Sequence, residues 1–186
     1  METRPPIEPC KNRLWQEIVE LGQSLILGVL LALALQIFIQ PTIVYGQSME
    51  PNLHDNERVI LDKVSYRIGE PSRGDIVVFP VEGEPLPLIK RVIGLPGETV
   101  EIRDGRVLID GVVLREPYAS GPTLGNMGPV RVLPDTVFVM GDNRAPGGSL
   151  DSRRLGPIPF VKIRGRARLA YWPPAAWGIL GGQGSK

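Results

Sequence analysis

The chain has 186 residues, and 21 Lys+Arg against 20 Asp+Glu leave it near neutrality, so its totals carry no nucleic-acid-binding footprint. A single cysteine, Cys10, excludes an intrachain disulfide and a cysteine-built metal site, and a single histidine makes any histidine zinc site or Ser-His-Asp triad depend on His54 alone. The 22 Gly and 19 Pro favour turns and short strands over long soluble helices.

Residues 1–20 are polar, with Arg4, Lys11 and Arg13 among them. From Leu21 to Ile39 the chain is almost wholly apolar, broken only by Gln23, Ser24 and Gln36. As a helix this run is roughly 28 Å long, about the hydrocarbon thickness of a bilayer. A helix packed in a soluble domain would carry a polar stripe, and this one has none. The run is longer than the apolar region of a cleaved signal peptide; Ala32 and Ala34 form an A-x-A only deep inside it, and the following QPTIVYGQS has no such ending. The expectation is an uncleaved transmembrane anchor over 21–40. Lys and Arg precede it and none follows until Arg58, which puts residues 1–20 in the cytoplasm and the rest on the outer face of the cell membrane, single-pass.

Beyond the anchor the pattern changes to short β-rich runs, at 57–64, 74–81, 87–95, 98–114, 135–142 and 161–172. Asp104-Gly105 and Asp110-Gly111 stand between β-branched runs, a strong signal for tight hairpins. No amphipathic helices alternate with these strands, which argues against a parallel α/β sheet. The fold class is mainly β: one N-terminal transmembrane helix and a bent antiparallel β domain over 41–175. Residues 176–186 are expected to be a tail that packs at the membrane surface or frays, because Pro173-Pro174 interrupts the apolar end.

Three places could carry chemistry. Ser48 stands in Gly46-Gln47-Ser48-Met49-Glu50-Pro51, where Gly46 permits an unusual backbone and Pro51 fixes φ, so its hydroxyl could be presented rigidly. An ordinary polar turn is the plain alternative. A serine needs a base, and His54 lies in a polar loop with no evident third partner. A lysine would serve only if kept dry, since at its ordinary pKa about four molecules in 10,000 are neutral at pH 7. Lys11 precedes the anchor, Lys63 sits among Asp62, Ser65 and Arg67, Lys162 is near Arg164, and Lys186 is in the tail. Lys90 lies in a strand-like run and by alternation shares a face with Leu86, Leu88 and Val92, an odd place for a charge unless the stem snorkels to water. In 140–159, Asp142, Asn143, Asp151 and Ser152 cluster with Arg144 and Arg153; this is either a solvated turn or a support in which Ser149 orients the amine and an Asp151–Arg153 pair braces the loop.

Taken in order, the anchor and the segments Gly46–Pro51, Arg73–Phe79, Ile89–Glu98 and Gly141–Gly156 resemble the bacterial type I signal peptidase family. The resemblance implies a serine endopeptidase with Ser48 as nucleophile and Lys90 as general base. It further implies Ser149 orienting the lysine and Asp151 and Arg153 as a structural pair behind it. The implied partners are secretory preproteins, cleaved after small residues at −1 and −3, and the lipid bilayer, with no cofactor, metal or nucleic acid. Shallow apolar pockets for the small residues would be lined by Val44, Met49, Leu53 and Ile89. Two departures bear on this. Gly46 stands where some members carry a hydroxyl that helps hold the oxyanion, leaving the Ser48 N–H as the main donor. Ala145-Pro146-Gly147-Gly148 makes the approach to Ser149 two residues longer than the commonest spacing. The competing readings are a self-cleaving Ser/Lys protease of the repressor type and an inactive homologue or membrane-anchored β adaptor.

Overall fold

The structure, a computed structural model, describes residues 10–181; residues 1–9, with Arg4, and residues 182–186, with Lys186, lie outside the described residues. It divides into two compact units, Met1–Phe38 and Ile39–Lys186.

Among the described residues the first unit is one helix, α1 (Cys10–Phe38). Its segment Trp15–Leu33, of mean hydropathy 1.5, is long and apolar enough to cross a membrane. The helix starts well before residue 21 because residues 10–20 contain neither Gly nor Pro to interrupt it. It stops at Phe38, short of residue 40, for a local reason: Pro41 has no N–H to donate and drives Gln40 into an extended conformation.

The second unit is built of antiparallel strands in two sheets. They are β1 (Ile39–Ile43), β2 (Arg58–Asp62), β3 (Ile76–Phe79), β4 (Leu88–Gly94), β5 (Thr99–Arg103), β6 (Arg106–Ile109), β7 (Val112–Val113), β8 (Met127–Arg131), β9 (Thr136–Met140), β10 (Ile158–Pro159), β11 (Gly165–Trp172) and β12 (Gly178–Ile179). The larger sheet runs β1-β2-β11-β3-β4-β9-β10 with β12 added on β11, and the smaller runs β7-β6-β5-β8. The hairpins at Asp104-Gly105 and Asp110-Gly111 have positive φ at both central residues (51° and 76°, 50° and 81°), the type I′ geometry that their sequences favour.

Beyond the expected strands the chain forms β1, β8, β10 and β12. β1 and β8 contain Pro41 and Pro129, and each lies at the edge of its sheet, where a missing N–H interrupts no ladder. The expected tail is also more ordered than anticipated: β12 pairs with β11, and Leu180 and Ala176 are buried. The Leu180 side chain joins a core with residues of β2 and β11, which also takes in Val44, Met49 and Leu53. A second core joins the smaller sheet to Ile93 of β4 and Phe138 and Met140 of β9, and a third holds Val77, Phe79, Val92 and Val139 of the larger sheet.

Candidate active site

The segment after β1 is pinned to the turn at 54–57. Val44 N–H donates to Glu57 O (2.8 Å), Asn56 N–H to Val44 O (2.9 Å), and Gly46 N–H to Asp55 Oδ1 (2.8 Å). Gly46 has φ +81°, a left-handed conformation open to glycine, and it turns the chain into the next loop. That loop is a helix-like turn in which Asn52 and Leu53 N–H both donate to Met49 O at 3.0 Å. Met49 and Leu53, each fully buried, root the turn in the core and leave Ser48 half-buried at its start. The turn is also clamped from above: Asn143 N–H donates to Ser48 O and Asn143 Nδ2 to Gln47 O, both at 3.1 Å.

Lys90 lies at the middle of β4, hydrogen-bonded between β3 and β9, and is 2% exposed. Its Nζ donates to Ser48 Oγ (2.7 Å) and to Ile89 O (2.8 Å), neither of which is an anion. Burial therefore dominates, and it pushes the amine down to about 8 against the weaker pull of Asp151 and Asp142. His54, by contrast, is exposed and its ring contacts Glu57 (3.2 Å). The side chain in contact with the Ser48 hydroxyl is the lysine.

The loop after β9 is not a solvated turn. Asp142, Arg144, Asp151 and Ser152 are all buried, because each polar group has a partner inside the fold. Asp142 takes a bidentate contact from Arg91 (Nε to Oδ1 2.8 Å, a second guanidinium nitrogen to Oδ2 2.6 Å). Burial pushes the Asp142 carboxyl upward, opposed by that guanidinium and by the Asn52 amide. Arg144 reaches Glu116 (2.5 Å), Thr123 Oγ1 (2.6 Å) and Gly141 O (2.8 Å), fastening the 116–123 segment to the loop. Asp151 caps the short helix Ser152–Leu155, accepts from Arg153 through two nitrogens at 2.8 Å each, and accepts from Gly141 N–H (3.1 Å). Burial alone would raise its carboxyl, but these donors hold it below the usual carboxylate range.

Of the residues singled out in the sequence, Ser48 and Lys90 come together, and Asp151 and Arg153 form an ion pair. Ser149 lies against Gly141, where any Cβ would strike both Ser149 Oγ and Ser48 O. Its Oγ is buried beside the Asp151 carboxylate, whose pKa it helps to lower, and the two bonds of the Lys90 amine go elsewhere. A cavity of about 290 Å³ has Thr42, Ile43, Tyr45, Val78, Leu86 and Ile89 among its lining residues. Ile89 is the one expected pocket residue on its wall; Val44, Met49 and Leu53 are packed into the core instead. Sequence reasoning missed Arg91, Asn52, Glu116 and Tyr118, which belong to the buried polar network around the site. The Lys90-Arg91 pair inside an apolar strand was the one signal that pointed to it.

The family model for signal peptidase, peptidase S26, matches residues 17–172. A probable signal peptidase I-2 from Synechocystis sp. is 39% identical, covering 96% of this chain and 83% of its own. A signal peptidase I from Leptolyngbya laminosa is 40% identical over 95% of this chain and 92% of its own. Signal peptidase I T from Bacillus subtilis (strain 168) is 41% identical over 83% and 86%.

Proposed function

This chain belongs to the signal peptidase family, peptidase S26, and from that membership we propose that its serine endopeptidase chemistry is carried by Ser48 as nucleophile and Lys90 as general base. The family removes signal peptides from secretory preproteins, and that is the activity of this chain. The repressor-type alternative is set aside by the match to signal peptidases over residues 17–172.

The observation that carries the dyad is the 2.7 Å contact between the Ser48 hydroxyl and an amine that is 2% exposed. With the amine at about 8, roughly one molecule in ten holds an unprotonated Lys90 at pH 7. That neutral amine accepts the hydroxyl proton as Ser48 Oγ bonds to the scissile carbonyl carbon. The resulting oxyanion is held by the Ser48 N–H. Collapse breaks the C–N bond, and the Lys90 ammonium returns its proton to the leaving amine. A water then enters; Lys90 takes its proton, the hydroxide attacks the acyl ester, and Ser48 regains its hydroxyl.

Asp151 and Arg153 brace the loop that backs this pair. Ser149, whose buried Oγ lies beside the Asp151 carboxylate, orients the amine after a small rotation of its side chain. Small side chains at −1 and −3 of the preprotein are accepted in the cavity that Ile89 lines. The Trp15–Leu33 segment is the membrane anchor, with the N-terminus cytoplasmic and residues from 39 onward on the outer face.

The test is cleavage of an Ala-x-Ala preprotein by the detergent-solubilised full chain, with N-terminal sequencing of the product. Ser48→Ala and Lys90→Ala are each expected to abolish cleavage while the β-sheet circular dichroism is unchanged. Full activity in either variant overturns the dyad.

A further inference from the structure

Ser48 and Lys90 are 42 positions apart in sequence and meet through a single hydrogen bond, so their spacing has to be held by something else. The Asn52 side chain is placed to hold it. It lies in the same turn as Ser48, and its amide nitrogen donates twice, to Asp142 Oδ2 (2.9 Å) and to Tyr118 O (2.6 Å). Asp142 is in turn gripped by Arg91, the residue that follows Lys90 in β4. A circuit of named contacts therefore runs from the Ser48 turn through Asn52, Asp142 and Arg91 to the backbone of Lys90, and the hydroxyl–amine contact closes it.

We propose that Asn52 is a positioning residue for the signal-peptide cleavage reaction, tying the nucleophile's turn to the strand that carries the base. This inference rests on the Ser48–Lys90 reading. The chemistry of the position is specific. Both neighbours of the Asn52 nitrogen are acceptors, a carboxylate and a carbonyl, and only a group with two protons to give satisfies both at once. The Arg91–Asp142 pair is complete without Asn52, so loss of the amide leaves the buried ion pair standing and removes the turn's tie to it, while the Asn143 contacts to Ser48 O and Gln47 O remain. The cavity that Ile89 lines draws nothing from Asn52, which separates positioning of the reacting atoms from binding of the substrate.

Substitutions at this site have an order that size alone does not give. Asn52→Asp keeps the shape but sets a second carboxylate against Asp142, which repels it or shares at most one proton with it, so Tyr118 O is left without a donor. Asn52→Ala removes both bonds. Asn52→Ser and Asn52→Thr restore a single donor. The expected order of kcat is therefore wild type, then Ser or Thr, then Ala, then Asp.

The experiment measures kcat, KM, the pH–rate profile and the thermal midpoint for these variants, using the detergent-solubilised full chain, an Ala-x-Ala preprotein, and Ser48→Ala as a control. Asn52→Ala is expected to lose roughly 10- to 100-fold in kcat, in line with displacement of a catalytic group by about an ångström. Its KM stays within about twofold of wild type, and the ascending limb of its pH profile keeps its position, because Lys90 remains as dry as before. The proposal is overturned by Asn52→Asp with kcat within about twofold of wild type while Ser48→Ala is dead, or by a loss that appears in KM instead of kcat. A shifted ascending limb in Asn52→Ala also overturns it, since that marks water entering the site. If Asn52→Asp does not fold, the Ser and Thr variants decide: a kcat no better than that of Asn52→Ala refutes the donor role. Activity in Ser48→Ala is the separate result that removes the dyad itself.

Discussion

Strand β4 carries two cations side by side, Lys90 and Arg91, which point to opposite faces of the sheet and are equally buried, 2% and 1% exposed. Their surroundings differ. Lys90 meets a hydroxyl and a backbone carbonyl, and burial pushes its amine down to about 8. Arg91 meets the Asp142 carboxylate through two nitrogens, donates to Gly74 O, and stacks over the Tyr118 ring with 4.3 Å to its centroid. Desolvation can discharge a lysine, because an ammonium has a proton it can lose. It cannot discharge an arginine, so a buried guanidinium must be compensated in place. The same strand thus supplies a reactive neutral amine on one face and a permanent charge that organises the adjoining loop on the other.

The most severe way to break this contrast is to put the second kind of cation in the first kind of place. Lys90→Arg keeps charge and length but has no accessible neutral form, so cleavage of an Ala-x-Ala preprotein is expected to fall on the order of 10⁴-fold or more. A rate within about tenfold of wild type removes Lys90 as the base. On the other face, Arg91→Ala and Asp142→Ala each leave a buried charge alone and are expected to destabilise the protein by about 3–5 kcal/mol in denaturant titrations. Replacing both with apolar residues is expected to be milder than either single change, because no uncompensated charge is left. If the losses simply add, the two side chains are not acting as a pair.

A change of pH sharpens the contrast without any mutation. Activity requires the unprotonated amine, so the rate rises about tenfold per unit below the Lys90 pKa and levels off above about 8. Between pH 6 and 9 the rise amounts to roughly a hundredfold. A flat profile over that range would mean that another group takes the proton.

Much of this arrangement was legible in the sequence, and the failures have physical causes. The Asp-Gly dipeptides located two hairpins because type I′ turns demand positive φ, a local requirement. Lys90 stood out because a charge in an apolar alternating run contradicts its surroundings, and its amine does meet Ser48. β1 and β8 were missed because Pro41 and Pro129 lower strand propensity, and only sheet topology shows that both strands are edges. The 141–153 loop has the composition of a surface turn; nothing local shows that Arg91, Glu116 and Asn52 arrive from distant segments to satisfy it. Val44, Met49 and Leu53 were assigned to a pocket wall, but apolar residues next to a nucleophile serve equally well as the roots of its turn. Local demands of backbone and charge can be read from neighbours in the chain, whereas compensation across the fold cannot.

The smallest expected effect tests the contrast through stability. The Lys90 amine sits at about 8 in the folded protein against an ordinary value of 10.5. Below pH 8 both folded and unfolded chains carry the proton, and the folded one bears the full burden of a buried charge, about 3 kcal/mol. As the pH rises from 8 to 10.5 the unfolded chain holds on to its proton while the folded chain is already neutral, so stability climbs and the burden fades. Lys90→Met removes the charge at every pH and keeps much of the stem volume, but it gives up the bonds to Ser48 Oγ and Ile89 O, worth about 1 kcal/mol each. The variant is therefore expected to be inactive yet more stable than wild type by about 1–2 kcal/mol at pH 7, with the advantage gone by about pH 10. Unfolding midpoints of both proteins in detergent at pH 6, 7, 8.5 and 10 measure this directly. An advantage that persists unchanged to pH 10 would come from packing, and a variant less stable than wild type at pH 7 would mean that the lysine is not a strained charge; either result erases the difference between the two faces of β4.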